Sequence, residues 1–351
     1  MKYLMKYWLA VLVVLVQNVH AYELDMKSKL DADKFEYKNT KTIKGMGKPV
    51  HENLIVQSVL AAHLPHYSEE DKRELIEGLV LGVRWNDDPL HMFRLHSVTA
   101  SALFAHSCKR KTAEKINVQW DLFYRSHCGD MQFLHAMASK KQESAQETYQ
   151  KLEAWLEFTY KTSTGSLPTD LRFRSVHFRM SPQAAATFKA VMIHPNGGRS
   201  LWRAEGMFSF DCTRSWFGGE IECEYIKFSK ENIRNIALGS LLHVIQDSYS
   251  ESHTQRDTSG KIVRFGAYTM QDKGEHAKKD ESVTTPHKVS LVDVSAKIIE
   301  AALADRQKSY PFDTVVRTEL DSWARVKSEY LLPVILPNVP TSTPSNLGLG
   351  K

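Results

Sequence analysis

Cysteine is scarce in this chain: 351 residues hold four, Cys108, Cys128, Cys212 and Cys223, and no two stand in a C-x-x-C spacing. That argues against a thiolate-bound zinc site and leaves two disulfides as the natural use of an even number. Four cysteines allow three pairings, and closeness along the chain favours Cys108 with Cys128 and Cys212 with Cys223. No stretch repeats at a fixed interval, and no apolar run reaches the ~20 residues of a membrane span. A strong charge of either sign is also missing. The formal balance is +5, from 46 Lys and Arg against 41 Asp and Glu, and the basic residues are scattered instead of forming a stripe. Charge therefore does not choose a substrate, and the scatter weakly disfavours nucleic acid.

The N-terminus "MKYLMKYWLAVLVVLVQNVHAYELD" has a positive start in Lys2 and Lys6, an apolar stretch from Trp8 to Val16, and small residues Val19 and Ala21 at a cleavage position. This is the pattern of a secretory signal peptide over residues 1–21, with the mature chain beginning near Tyr22 in a secreted or periplasmic setting. That compartment is oxidising, which suits the disulfides.

Helical periodicity dominates the remainder and implies a mainly α fold in a single domain over residues 22–332. Amphipathic patterns occupy 52–63, 70–83, 95–107, 142–161, 231–249 and 290–308, with Ser68 and an acidic first turn opening the second. Residues 206–228, "GMFSFDCTRSWFGGEIECEYIKF", alternate around Gly218-Gly219 and predict a β-hairpin stapled by Cys212 and Cys223. Trp216 and Phe217 at its tip suit a lipid surface, a stacking platform for bases, or plain packing on the helical body. Residues 333–351, rich in proline, serine and glycine, predict an irregular tail.

The chemistry lies in the histidines. In "SLLHVIQDSYSESHT", residues 240–254, His243 and Asp247 are four apart and so lie about 40° apart on one helix face. Both can reach one cation, and imidazole with carboxylate suits zinc. A carboxylate placed among apolar residues also needs a partner, which a metal supplies. His253 follows a run of serines that can bend the chain. "GEHAKKDES" repeats the four-residue spacing with His276 and Asp280. A single H-x-x-x-D is more often a surface pair or a satisfied buried histidine; two of them with an intervening His are harder to dismiss.

In order and spacing, "LGSLLHVIQDSYSESHT" and the later "EHAKKD" resemble the superfamily of bacterial zinc-dependent phospholipases C and fungal single-strand-specific zinc nucleases. The resemblance implies a helical domain carrying two or three zinc ions. It makes Asp247 a carboxylate bridging two ions, places His243 on one of them, and gives His253, His276 and Asp280 to a further ion nearer to substrate. In the N-terminal half it matches His51 of "KPVHENLI" to an early family histidine, Asp87 of "VRWNDDP" to the family's Trp-x-Asp carboxylate, and His135 of "GDMQFLHAMA" to a mid-chain histidine. Asp88 competes with Asp87, and His96 and His106 with His135. The family's mature N-terminus itself binds zinc, whereas Tyr22 and His51 are about thirty residues apart here, so altered coordination of that ion is expected. The implied activity is phosphodiester hydrolysis by metal-activated water, with Asp87 as ligand and as the residue that orients or deprotonates that water. A phospholipid is favoured as substrate over a single-stranded nucleic acid, with transient contact to a membrane surface. A secreted protein with purely structural zinc is the reading from another class.

Overall fold

The computed structural model describes residues 29–31, 35–38, 49–91, 121–193, 199–214, 221–267, 285–308 and 322–337. The fold is mainly α. Its longer helices among the described residues are α1 (Val50–Ala61), α2 (Glu69–Asp87), α3 (Asp121–Cys128), α4 (Ala145–Thr164), α5 (Pro182–Met192), α6 (Lys230–Asp247) and α7 (Thr285–Gln307). Among the described residues the strands form antiparallel two-stranded ribbons: β1 (Leu30–Asp31) with β2 (Glu36–Tyr37), β3 (Phe210–Arg214) with β4 (Ile221–Tyr225), and β5 (Thr254–Arg256) with β6 (Ile262–Phe265). No helix of the described residues is long and apolar enough to cross a membrane.

Local sequence explains where helices start. The Ser68 hydroxyl accepts from the Asp71 amide at 3.1 Å while the Asp71 carboxylate accepts from the Ser68 amide at 2.8 Å. Ser144 and Glu147 repeat this reciprocal cap at the head of α4, which leaves two amides satisfied that the helix itself cannot pair. The second helix runs four residues beyond the range the sequence pattern marks, so Asp87 falls in its last turn. Helix α5 and the 3₁₀ segment Phe173–Phe178 have no counterpart among the sequence expectations. The expected helix over 95–107 and the expected signal peptide lie outside the described residues.

Around α6 the body is built as a bundle. Helix α2 lies along one side of it, α4 along another, and α7 covers α1 and α4. Trp85 and Trp155 stack in the core with ring centroids 5.6 Å apart, and Phe208 meets Trp85 edge-on. Glycine is required where α2 meets α6. A Cβ on Gly82 would stand 2.2 Å from the Ile236 carbonyl oxygen, and one on Gly239 would stand 2.0 Å from that of Leu79. Gly78 lies against Asn235 and Gly82 against Gly239, so residue numbers rise together and the two helices run parallel. Their C-terminal ends consequently arrive at the same place.

The hairpin forms as expected, with Cys212 directly opposite Cys223 and the two joined in a disulfide. Its tip, including Trp216 and Phe217, lies outside the described residues. Cys128 is also disulfide-bonded, and its expected partner Cys108 is outside them. At the far end the tail begins later than anticipated. Residues 333–335 are not irregular: Leu332–Ile335 continues a π-helical turn, Val334 and Ile335 are buried, and Ile262 bridges Pro337. The apolar "LLPVIL" run holds this stretch on the body, and Pro333, which has no amide to donate, sits just after the π-helical turn.

Because the α2–α6 contact leaves no room for a methyl group, Gly239→Ala should destabilise the chain by about 3 kcal/mol, at the upper end of overpacking costs. Chemical denaturation would read this; an unchanged midpoint would show that the helices do not need to approach so closely.

Candidate metal centre

Helix ends assemble the site. His51 stands in the first turn of α1, Asp87 in the last turn of α2, His127 in the last turn of α3, and His243 and Asp247 in the last two turns of α6. His135 ends the 3₁₀ segment Gln132–His135, where Ala136 turns the chain through a left-handed conformation at φ 50°. The parallel α2 and α6 both point the negative ends of their dipoles at this cluster, which favours a cation there.

At the centre lies the Asp247 carboxylate, with no solvent exposure. Its Oδ2 is 2.9 Å from His243 Nε2, 3.0 Å from His135 Nδ1 and 3.5 Å from His253 Nδ1. Its Oδ1 is 3.4 Å from His51 Nε2. Asp87 closes the cluster, Oδ1 lying 3.7 Å from His135 Nδ1 and Oδ2 3.7 Å from His243 Nδ1. His135 Nδ1 and His243 Nε2 are 3.1 Å apart. The rings of His51 and His243 stack with centroids 4.3 Å apart.

His253 reaches this carboxylate because α6 stops at Asp247. The Ser248 hydroxyl bonds back to the Ile245 carbonyl, the Ser250 amide to that of Asp247, and the His253 amide to that of Ser250. The serines thus turn the chain so that His253 faces the end of the helix it has just left. On an uninterrupted helix it would point about 80° away from His243.

Surrounding polar groups fix the imidazoles. The Nδ1 of His51 is 2.5 Å from Gln246 Oε1, so that edge donates to the amide and turns Nε2 toward Asp247. His127 Nδ1 lies 2.9 Å from the Phe123 carbonyl oxygen, which fixes its proton there and leaves Nε2 to face inward as an acceptor. Asn86 locks three elements together. Its amide donates to the carbonyls of Leu134 and Ser240, while its oxygen accepts from the Ser240 hydroxyl at 2.6 Å. Each of those partners neighbours or precedes a cluster histidine.

Desolvation pushes the His127 and His243 imidazoles down to about 3, against an ordinary value of 6.5, and it also lowers His135. Desolvation alone would raise the Asp247 carboxyl, but His243, His253 and the hydrogen bonds from His135 and His243 outweigh it and hold the group well below the usual carboxylate range. Neutral imidazoles around an ionised carboxylate are the protonation states a metal ion requires.

The donor set fits a cation. Four nitrogen or oxygen atoms bound at about 2.0–2.1 Å to a tetrahedral ion stand roughly 3.3–3.4 Å from one another, and the distances around Asp247 run from 2.9 to 3.5 Å. Two groups have ligand atoms close enough to share an ion: His51, His243 and Asp247, and Asp87, His127 and His135. His135 Nε2 and His243 Nδ1 are buried without a hydrogen-bond partner among the described residues, which is costly for a polar atom that meets no ion. Buried His and Asp groups here can hold a metal ion.

Of the residues singled out by sequence, His51, Asp87, His135, His243, Asp247 and His253 come together. His276 and Asp280, and the competitors His96 and His106, lie outside the described residues. Asp88 is buried beside Asp87 as the cap of α2, and Asp87 is the one within reach of the histidines. Sequence reading missed His127, whose surroundings "YRSHCGD" carry no ligand spacing; the turn after α3, where Arg125 pairs with Asp130, brings its ring to within 5.1 Å of that of His135. It also missed Gln246, whose one signal was a polar residue inside "LLHVIQD". No family model matches the chain, and neither does any curated protein or solved structure.

Two outcomes follow. Unfolded histidines titrate near 6.5 while the folded chain keeps His127 and His243 neutral down to about 3, so the unfolded state binds more protons between those values. Metal-free protein should therefore lose stability as pH falls from about 6.5 toward 3, and denaturation at pH 7.5 and 5 would read it. His127→Ala should lower the metal retained through dialysis, measured by elemental analysis, whereas an unchanged content would remove His127 from the ligand set.

Proposed function

We propose that this chain is a secreted zinc-dependent phosphodiester hydrolase of the zinc phospholipase C and single-strand nuclease type. The observation that carries the reading is the convergence of Asp87, His135, His243 and Asp247, from three distant parts of the sequence, with donor atoms 2.9–3.7 Å apart. The H-x-x-x-D spacing in α6, the bend that returns His253, and Asp87 following Trp85 at the end of α2 support it further. Two or three ions fit the resemblance, and the two donor groups around Asp247 and His135 provide for two of them. Disulfide-bonded Cys212, Cys223 and Cys128 suit an oxidising compartment.

Zinc bound here would supply Lewis acidity toward a phosphoryl oxygen and would acidify water toward neutrality. The chain's own residues divide the remaining work. Asp247, His51, His135 and His243 hold the charge in place, and Gln246 keeps the His51 ring from rotating. Asp87 faces the work of substrate. It keeps 6% exposure, and His127 beside it is mostly buried, whereas Asp247, His243 and His51 have none. Water and a phosphodiester therefore approach along the Asp87–His127 edge, where the Asp87 carboxylate can accept a proton from water and orient it.

The segment before His51 bears on the number of ions. Tyr37 is buried, its amide donates to Asn53 Oδ1 at 2.8 Å, and Arg84 lies over its ring. This upstream segment is thus packed on α1 and α2. That favours a chain that keeps the segment and binds its ions without the N-terminal amine used in the family.

The test is hydrolysis by zinc-loaded protein of phosphatidylcholine vesicles, read as released phosphocholine, beside single-stranded DNA, read as released nucleotides. Phosphocholine release that falls by about 10² or more in Asp87→Asn is the expected result. Nucleotide release alone would move the assignment to the nuclease branch, and hydrolysis of neither by metal-loaded protein would leave only structural zinc.

A further inference from the structure

Of the clustered histidines, His253 alone lies outside a helix, so its place beside Asp247 depends on the chain that follows α6. Turns are more mobile than the elements they join unless something closes them. Here the closure is made at the Ser248 carbonyl, which belongs to the end of α6, where the last carbonyls have no partner within the helix. Thr254 Oγ1 donates to it at 2.7 Å, and so does Arg256 Nη2 at 2.7 Å, with the Ser248 hydroxyl 3.3 Å from the same Nη2. Both donors follow His253 in the chain and the acceptor precedes it. Residues 248–256 are thereby a closed loop with His253 inside.

The guanidinium of Arg256 holds more than this loop. Its carbon lies 4.6 Å from the centre of the Tyr249 ring, and Nη1 donates to the Gly260 carbonyl at 2.7 Å and to the Val334 carbonyl at 2.9 Å. Gly260 turns the chain between β5 and β6, and Val334 comes from the helical turn Leu332–Ile335 near the other end of the chain. One planar fork therefore spans three separate stretches, which the single nitrogen of a lysine would not do. Hydrogen bonds from a charged donor are roughly twice as strong as neutral ones. From the opposite side, the Gly266 amide donates to the His253 carbonyl at 2.7 Å, and the Gly266 carbonyl accepts from Ala138, just after His135, at 2.7 Å.

We infer that Arg256 is a positioning residue of the metal centre, holding the His253 imidazole against Asp247 by clasping the Ser248 carbonyl to the strand that follows. A guanidinium has no lone pair to offer a cation, so its part is played through His253. The inference rests on the reading of the cluster as a zinc site with His253 among its ligands. It adds a residue that no ligand spacing marks.

Zinc affinity of the purified full-length chain, measured by competition with a chromophoric chelator, tests this across wild type, Arg256→Gln, His253→Ala and the double variant. His253→Ala should weaken binding by about ten-fold or more, and Arg256→Gln by about ten-fold, as when a residue that orients a ligand is lost. The double variant should bind no more weakly than His253→Ala, because Arg256 has nothing left to position once the imidazole is gone. With cobalt(II) in place of zinc, the visible absorption of Arg256→Gln should move toward that of His253→Ala, a change in the ion's own coordination that lost stability alone does not produce. Arg264→Gln, an exposed change on β6, should alter affinity less than about two-fold. If Arg256→Gln does not fold, Thr254→Val removes the other side-chain donor to the Ser248 carbonyl and should weaken binding several-fold in the wild-type background and not in His253→Ala. Wild-type affinity and spectrum in Arg256→Gln, or losses that add in the double variant, would overturn the inference while leaving the zinc site in place. A wild-type chain that binds no zinc, or His253→Ala that binds as tightly as wild type, would remove the reading beneath it and the inference with it.

Discussion

One buried carboxylate organises this structure. Asp247 has no solvent exposure and meets four imidazoles, those of His51, His135, His243 and His253. An ionised group removed from water is tolerated only where partners replace its hydration. The rest of the centre can be understood as the supply of those partners. Helix α6 carries the carboxylate through the core, the contact at Gly82 and Gly239 brings α2 close enough for Asp87 to reach the same histidines, and the serine turn sends His253 back. A cation held between these imidazoles and the carboxylate would add a further partner for its charge.

A second constraint is rigidity. Each cluster residue sits at a helix end or in a tight turn instead of on a long loop. Asn86 ties the carbonyl beside His135 to α6, and the indole of Trp155 donates to the same Ser240 hydroxyl. Ligands fixed in this way lose little entropy when an ion binds, and the ion meets a geometry already close to its own. Asp247, His243 and His51 have no exposure, whereas Asp87 keeps 6% and His127 is partly buried.

Much of this was legible in sequence wherever the interaction is local. A four-residue separation on a helix fixes a shared face, so His243 and Asp247 could be paired before any fold was known. Alternation around Gly218-Gly219 placed the hairpin and its disulfide, and Ser68 announced the start of α2. Tertiary partners were not legible. His127 comes to the site through the turn after α3, Gln246 matters only because His51 lies across from it, and the Asn86–Ser240 link joins residues far apart in the chain. Local patterns also misplaced the tail, since the apolar contacts of Val334 and Ile335 outweigh the proline beside them.

The most direct test of the account is zinc K-edge X-ray absorption on the purified full-length chain after dialysis. The account predicts retained metal with a shell of nitrogen and oxygen near 2.0–2.1 Å and imidazole scattering behind it. A sulfur shell near 2.3 Å, or no metal retained in the wild-type chain, would contradict it.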